Sequence, residues 1–549
     1  RLTAQFSLTK GTSAGETFKS MNHTDYEKNG TPLLERGEYN KSIGNTMNWS
    51  TNASINYNLT KDKHLLSMFA RWEIAQNQND GIFLQAKGFP NDNMTDFQFS
   101  QEIEKRDVSN TETTSRSMGL TATVSYMYDF RYSLDFNLRG DMSSQFGADT
   151  KMKPFWSVGA RWNASREKWL EGSFVSNLVL RTSYGITGSQ NYDPYQAVEG
   201  YSFEDLMFQY LSSGVIGAEL KGFGNPDLDW STTEDFSAAI ELGFFNDRLT
   251  ASVNYYNHYT DQLLLDNNIA PSTGFPTLMT NIGAISNKGV DVTLGFTPIQ
   301  DYERQIQWNV SINGNHNSNK VKKISNEIKK VNEENLNNKT KPLPIYEEGK
   351  STTQLFVVRS LGIDPATGNE IFLKRNGERT FFWNANDKVA VGDTEPKFRG
   401  GITSGLTWKD WSVNLGFTYE FGAYTYNQTL VDRIENVNLL HNADRRAAKD
   451  RWRKPGDIAK YKSIAFSGRT TELSSRFVQK KNEIAFSSIS IGYHFDPKKF
   501  GFLKQCKIAG INLTGSMQDL GRISSVKQER GTDYPFARTV NLSMSVLFN

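Results

Sequence analysis

Met118-Gly119-Leu120-Thr121-Ala122-Thr123-Val124-Ser125-Tyr126, the tight turn Asp129-Phe130-Arg131, and Tyr132-Ser133-Leu134-Asp135-Phe136-Asn137-Leu138 decide the fold. On both sides of the turn an apolar side chain occupies every second position, and mostly Thr, Ser, Asp and Asn fill the places between. Successive side chains of a β-strand point to opposite faces, so each segment reads as a strand with one apolar and one polar face. So short a turn joins the two strands only as an antiparallel hairpin.

The same alternation returns along the chain. It appears as Leu2/Ala4/Phe6/Leu8, Met47/Trp49/Thr51/Ala53/Ile55/Tyr57, Leu66/Met68/Ala70/Trp72/Ile74, Trp156/Val158/Ala160/Trp162 and Leu178/Leu180/Thr182/Tyr184. It continues as Phe236/Ala238/Ile240/Leu242/Phe244, Leu249/Ala251/Val253/Tyr255, Val290/Val292/Leu294/Phe296 and Ile306/Trp308/Val310/Ile312. The last third adds Phe398 to Leu406, Val413/Leu415/Phe417/Tyr419/Phe421, Ile489/Ile491/Tyr493, Ala509/Ile511/Leu513 and Val540/Leu542/Met544/Val546/Phe548. About sixteen strands result, most near the 9–11 residues that cross a bilayer. The predicted fold class is all-β, a transmembrane antiparallel β-barrel occupying residues 1–549.

The connections alternate as well. Long polar stretches such as Lys10–Gly44, Ala75–Ser117, Gly185–Asp235, His258–Gly289, Asn319–Lys397, Gly422–Glu483 and Ser516–Ala537 take turns with short ones. The short ones include Thr60–Lys63, Asp129–Arg131, Phe245–Arg248, Pro298–Gln305 and Trp408–Asp410. Outer-membrane barrels have this arrangement, with long loops outside and short turns in the periplasm. A propeller or sandwich also has many short alternating strands, but its loops would not alternate in length, and no blade-sized repeat is present.

Composition bounds the alternatives. Of the 549 residues 37% are hydrophobic, and no run approaches the roughly 18 apolar residues of a transmembrane helix. Hydropathy alone would therefore misread the chain as water-soluble, because a barrel crosses with every second residue apolar. Lys+Arg 62 against Asp+Glu 60 leaves +2, which gives no basic field for nucleic acid. Cys506 is the only cysteine, which excludes an intrachain disulfide or a cysteine-based zinc site. Arg1-Leu2-Thr3-Ala4-Gln5 shows no signal-peptide pattern and opens in mid-alternation, so the chain is expected to be incomplete at this end, with an even number of strands missing or none.

Candidate chemistry is sparse. Gly11-Thr12-Ser13-Ala14-Gly15 matches the nucleophile-elbow spacing, but a polar stretch rather than a helix follows, so a flexible outer loop is expected there. His23, His64, His258, His316, His441 and His494 are scattered without ligand spacing. Gly222-Phe223-Gly224 is too short for a phosphate loop, and Asp227 with Asp229 lacks the rest of a calcium loop. No catalytic, cofactor or metal residue is predicted. Lys320–Lys341, with Val321, Ile324, Ile328 and Val331 at helical spacing, and the basic Asp444–Lys454 read as solvated loop helices or as surfaces for a partner. Trp49, Trp72, Trp162, Trp308, Trp408 and Trp411 fall toward strand ends, where an interfacial girdle belongs. Arg181, Asp141 and Asn309 are expected to face the lumen.

Several motifs resemble the SusC/RagA family of TonB-dependent outer-membrane transporters of Bacteroidetes. They are Leu180–Gly185 with Thr187–Gln190, Asn225-Pro226-Asp227-Leu228-Asp229-Trp230, Tyr255-Tyr256 with Thr260–Leu264, and Ser272–Phe275 leading to Asn281–Val290. Further matches are Gly362–Gly368, Gly392-Asp393 with Pro396–Phe398, Arg451-Trp452 with Pro455–Asp457, and Tyr534-Pro535 with Arg538-Thr539. They occur in family order over most of the chain.

The resemblance implies a barrel of about 22 strands around an N-terminal plug. It also implies a cell outer-membrane location, TonB acting through the plug, a SusD-like lipoprotein lid, and uptake of a bulky nutrient such as an oligosaccharide or peptide. No enzymatic activity, cofactor or metal is implied. The plug and about six strands are not recognised in this sequence. The chain ends Phe548-Asn549 rather than on the aromatic itself, and Phe548 is the expected barrel-insertion signal. A structural barrel subunit of a larger complex and a passive porin are the alternative readings.

Overall fold

The computed structural model describes residues 1–103, 108–146, 152–189, 194–204, 217–269, 271–275, 277–438, 444–466, 468–527 and 538–548. The chain opens with β1 (Leu2–Lys19), a short helix α1 (Thr24–Asn29), β2 (Glu38–Lys61), β3 (His64–Lys87), β4 (Val108–Tyr128), β5 (Tyr132–Ser143), β6 (Lys153–Asn163) and β7 (Val175–Ser189). The hairpin β8 (Gly200–Glu204) and β9 (Gly217–Gly222) precedes β10 (Ser231–Phe244) and β11 (Leu249–Asp261). A second hairpin, β12 (Leu264–Asn268) and β13 (Thr277–Asn281), precedes β14 (Ala284–Asp301) and β15 (Ile306–Lys323). Helix α2 (Asn326–Asn337) leads to β16 (Gln354–Ile363), β17 (Glu370–Leu373), β18 (Arg379–Thr380) and β19 (Lys388–Asp393). The remaining elements are β20 (Phe398–Trp408), β21 (Trp411–Tyr426), β22 (Val478–Phe495), α3 (Gly501–Gln505), β23 (Ile508–Ser524) and β24 (Val540–Phe548).

Sixteen strands form one antiparallel sheet, in which each pairs with the next along the chain once the loop strands are set aside. In it, among the described residues, β1 and β24 each have a single neighbour. The hairpin that decides the fold is in register from Ser117↔Ser143 to Tyr128↔Tyr132. Its turn holds Asp129 and Phe130 at φ 51° and 54°, the paired left-handed conformation that matches the twist of a two-strand ribbon. Asp62, Phe245, Asn246, Asp247, Gln305 and Lys409 take positive φ at other short turns. Among the described residues no helix is long and apolar enough to cross a membrane.

The apolar face of the sheet is bare. Leu120, Leu134, Phe136 and Leu138 are all at least 42% exposed. The buried clusters lie at the long-loop end instead: Phe146, Phe155 and Trp230 in one, Leu430, Val431, Ile434 and Phe477 in another. A wall whose greasy side faces outward and whose packed core sits in its loops is built for lipid rather than water.

The strands run further than the alternation indicates. β1 continues to Lys19, so Gly11–Gly15 is strand rather than flexible loop, with Ser13 opposite Gly44. β3 likewise continues to Lys87 and β4 begins at Val108. Beyond the bilayer both faces meet water, so the apolar period disappears while the backbone ladder persists. In the Lys320–Lys341 segment only Asn326–Asn337 is helical, and Val321 belongs to β15.

Candidate functional site

The long-loop end carries a built assembly. Strands β18, β17, β16 and β19 form a small sheet in that order. The hydrophobic run Leu355-Phe356-Val357-Val358 on β16 is buried, and the backbone of Leu473 accepts from Val358 N at 3.4 Å and from Trp383 Nε1 at 3.0 Å. The small sheet is thereby stitched to the loop between β21 and β22. A six-residue π-helical turn, Leu430–Glu435, starts that loop's buried part.

Charges lock the contact. Arg476 Nη2 donates to Glu435 Oε1 at 2.6 Å and to Glu370 Oε2 at 2.9 Å, and Ser474 Oγ donates to Glu370 Oε1 at 2.6 Å. Burial alone would push the Arg476 pKa down, but Glu370 and Glu435 more than offset it and hold the guanidinium charged. Arg451 donates to the backbone oxygens of Glu435 at 3.0 Å and Lys462 at 2.9 Å, and also to those of Ala447 and Ile434. Burial lowers the Lys462 pKa, partly offset by Glu435. Glu370, Glu435, Lys462 and Arg476, with Phe372 and Phe466, line a cavity of about 310 Å³.

Below the loops, the polar face of the sheet forms a hydrogen-bonded wall. Asn313, Asn315, Asn317 and Asn319 lie on one face of β15 by period two. Asn315 Nδ2 donates to Asp291 Oδ1 at 2.7 Å and to Tyr256 Oη at 3.1 Å, and Tyr256 Oη donates to Asn317 Oδ1 at 3.2 Å. Asn319 Nδ2 donates to Asn287 Oδ1 at 2.7 Å. A recess of about 700 Å³ is lined by Asp291, Asn313, Asn315, Arg399, Tyr419 and Glu483. Another of about 580 Å³ is lined by Thr250, Thr297, Asn309, Ser311 and Asn414 among others. A wall of amides, hydroxyls and mixed charges can hold polar groups by hydrogen bonds without a strong field of either sign.

Most of the residues singled out from sequence have structural partners. Arg181 forms a salt bridge with Glu241, Asp141 pairs with Arg139 at 2.7 Å, and Asn309 accepts from Thr297 Oγ1 at 3.2 Å. In the basic segment Asp444–Lys454, Arg446 is clasped by Asp444 at 2.8 Å and Arg451 is buried, so these two are structural. The Asp444 carboxyl falls to about 2, chiefly through its hydrogen bond from the Arg446 side chain. Trp162, Trp308, Trp408 and Trp411 sit at the short-turn end, whereas Trp49 and Trp72 lie within 24-residue strands, about one bilayer crossing away. His258 bonds Asp235 and His494 lies 2.7 Å from Asn512 Oδ1; among the described residues no group of His, Cys, Asp or Glu could hold a metal. Gln190, His441, Tyr534, Pro535 and Asn549 fall outside the described residues.

The motifs that carry the resemblance meet one another in space. Asn281 Oδ1 accepts from Asp229 N at 2.9 Å, and its Nδ2 donates to Asp229 O at 2.7 Å. Asn225 Nδ2 reaches Met279 O at 2.7 Å, and Leu228 is fully buried. Trp452 Nε1 donates to Pro365 O at 2.9 Å, and Gly368, at φ 73°, lies so close to the Trp452 ring that a Cβ would collide with it. These motifs staple loops together. Sequence reasoning missed the Glu370–Arg476–Glu435 cluster because its members are 106 and 41 positions apart, with no local spacing to mark them.

Residues 1–445 match the family model described as TonB dependent receptor-like, beta-barrel. TonB-dependent receptor P39 of Formosa agariphila is 26% identical over 564 residues, covering 92% of this chain and 53% of its own length. TonB-dependent receptor SusC of Bacteroides thetaiotaomicron is 25% identical over 438 residues, covering 76% of this chain and 42% of its own length. The chain spans about half the length of these curated relatives. The solved RagAB peptide transporter superposes with a TM-score of 0.81 at 21% identity, over 96% of this chain and 56% of that one, a likeness of fold.

Proposed function

The chain belongs to the TonB dependent receptor-like, beta-barrel family of the outer membrane, and from that membership we propose that it is the wall and outer-loop part of an energy-coupled SusC-type importer of bulky nutrients. The observation that carries this reading is the polar inner wall lying beneath an ion-locked loop assembly. In the proposed mechanism the Asn313–Asn319 face and its neighbours contact a plug and passing cargo, and the loop assembly seats a SusD-like lid. TonB, pulling on the plug, opens the path. The two single-neighbour edges, β1 and β24, and the half-length match to relatives support a larger barrel completed by further strands and a plug. Backbone groups at such edges have to be paired within a bilayer.

The cargo class is an oligosaccharide or a peptide, and uptake measurements in cells and liposomes test the reading. Cells carrying the full-length gene should accumulate labelled oligosaccharides or peptides only while TonB is present. Uptake of small sugars into liposomes without an energy source would replace the reading with a passive porin. Normal uptake of both cargo classes in a deletion strain, with loss of an outer-membrane complex, would replace it with a scaffold.

A further inference from the structure

The outward face of the wall is not uniformly ridged. Across β5, β6, β7, β10 and β11 the register aligns Leu134↔Ala160, Ala160↔Thr182, Thr182↔Ala238 and Ala238↔Tyr255. The next outward row toward the short turns is Tyr132↔Trp162, Trp162↔Leu180, Leu180↔Ile240 and Ile240↔Val253. Between large side chains on either side, the small ones form the floor of an apolar groove of about 690 Å³. At about 4.8 Å per strand the floor runs roughly 10 Å across the strands, from Ala160 to Ala238.

The groove has a polar mouth at the short-turn end. Tyr132 Oη and Trp162 Nε1, on its lower rim, donate to Glu167 Oε1 at 2.6 and 3.3 Å, and Arg131 Nη1 lies 3.2 Å from Glu167 Oε2. Arg166 and Lys168 flank that glutamate in sequence and are exposed, and among the described residues neither forms an ion pair. The Arg166 guanidinium lies 5.3 Å from the centre of the Phe130 ring. Phe130 and Trp169, beside these cations, are 53% and 63% exposed, as interfacial anchors are. Glu167 is already engaged by three donors, so the two free cations are left to meet a negative group from the membrane.

We propose that this groove binds one phosphate-bearing glycerophospholipid of the periplasmic leaflet, with an acyl chain laid on Ala160, Thr182 and Ala238 and the phosphate held by Arg166 and Lys168. The apolar lining supplies affinity by area and the paired cations supply selection for the headgroup. Such a lipid would be held in place rather than exchanging with the surrounding bilayer.

Native mass spectrometry of the full-length protein, delipidated in detergent and titrated with single lipids, tests the site. Phosphatidylglycerol and phosphatidylethanolamine should each be retained at least tenfold more strongly than diacylglycerol of the same chains. Arg166→Glu with Lys168→Glu, both at an exposed turn, should abolish that preference, and Ala238→Phe should weaken every lipid at least fivefold. Equal retention of diacylglycerol, or full retention by the Arg166/Lys168 variant, overturns the proposal. Cross-linking of two copies through Ala238→Cys in a Cys506→Ser background would make the groove an interface between barrels and would also overturn it.

Discussion

Lys388 is buried to 1% exposure, and its ammonium donates to Asn338 O at 2.8 Å and Asn335 O at 3.3 Å, carbonyls at the C-terminal end of α2. Burial lowers its pKa from 10.5 to about 8. A lysine whose folded pKa lies below its unfolded value costs stability while it is charged. The cost is present in full below pH about 8 and is relieved as pH rises from about 8 to 10.5. The Trp383 ring lies 5.6 Å away, so its emission should titrate near pH 8 and cease to do so in Lys388→Met. Arg476 carries the opposite lesson. Arg476→Met leaves Glu370 and Glu435 buried without a counter-charge, which should destabilise the loop assembly by about 3–5 kcal/mol. Hydrogen exchange in residues 354–393 and 427–477 should accelerate while the sheet stays protected, and Glu370→Gln with Glu435→Gln should restore much of the loss. Unchanged exchange in the single variant would mean that apolar packing alone holds the loops.

At the scale of the element, each strand has two regimes. Within the bilayer its two faces see lipid and lumen, and the sequence alternates. Above it both faces see water, and polar residues fill both sides, as in Gly11–Lys19 opposite Glu38–Thr46. Single cysteines in a Cys506→Ser background should read this directly. A membrane-impermeant maleimide should label successive positions of residues 41–46 on β2, but only every second position of residues 50–57. Uniform labelling over 50–57 would mean that this part of the sheet does not sit in lipid.

For the whole molecule, orientation of the sheet is the main energetic fact. Leu138→Arg on the outer face, midway along β5, should cost about 2–4 kcal/mol, and Asn137→Arg on the inner face far less. Urea unfolding from liposomes separates the two, and equal costs would contradict the assignment of faces. Phe548, 69% exposed and paired with Ile508 on β23, is the aromatic proposed for recognition by the insertion machinery. Phe548→Ala should reduce outer-membrane yield several-fold without changing the stability of barrels that do assemble.

Legibility followed the range of the forces involved. The alternation in Met118–Leu138 and its repeats determined the sheet, its strand count and its antiparallel order, because side-chain period and turn length are local properties of the chain. The lipid-facing identity of the apolar set was legible for the same reason. Where the strands end was not, since a ladder in water leaves no apolar period to read. The ion lock of Glu370, Arg476 and Glu435, the buried ammonium of Lys388 and the outer groove at Ala160, Thr182 and Ala238 were decided only by tertiary structure. Each depends on residues from different strands or loops arriving side by side, and register and loop docking set that meeting where sequence spacing cannot.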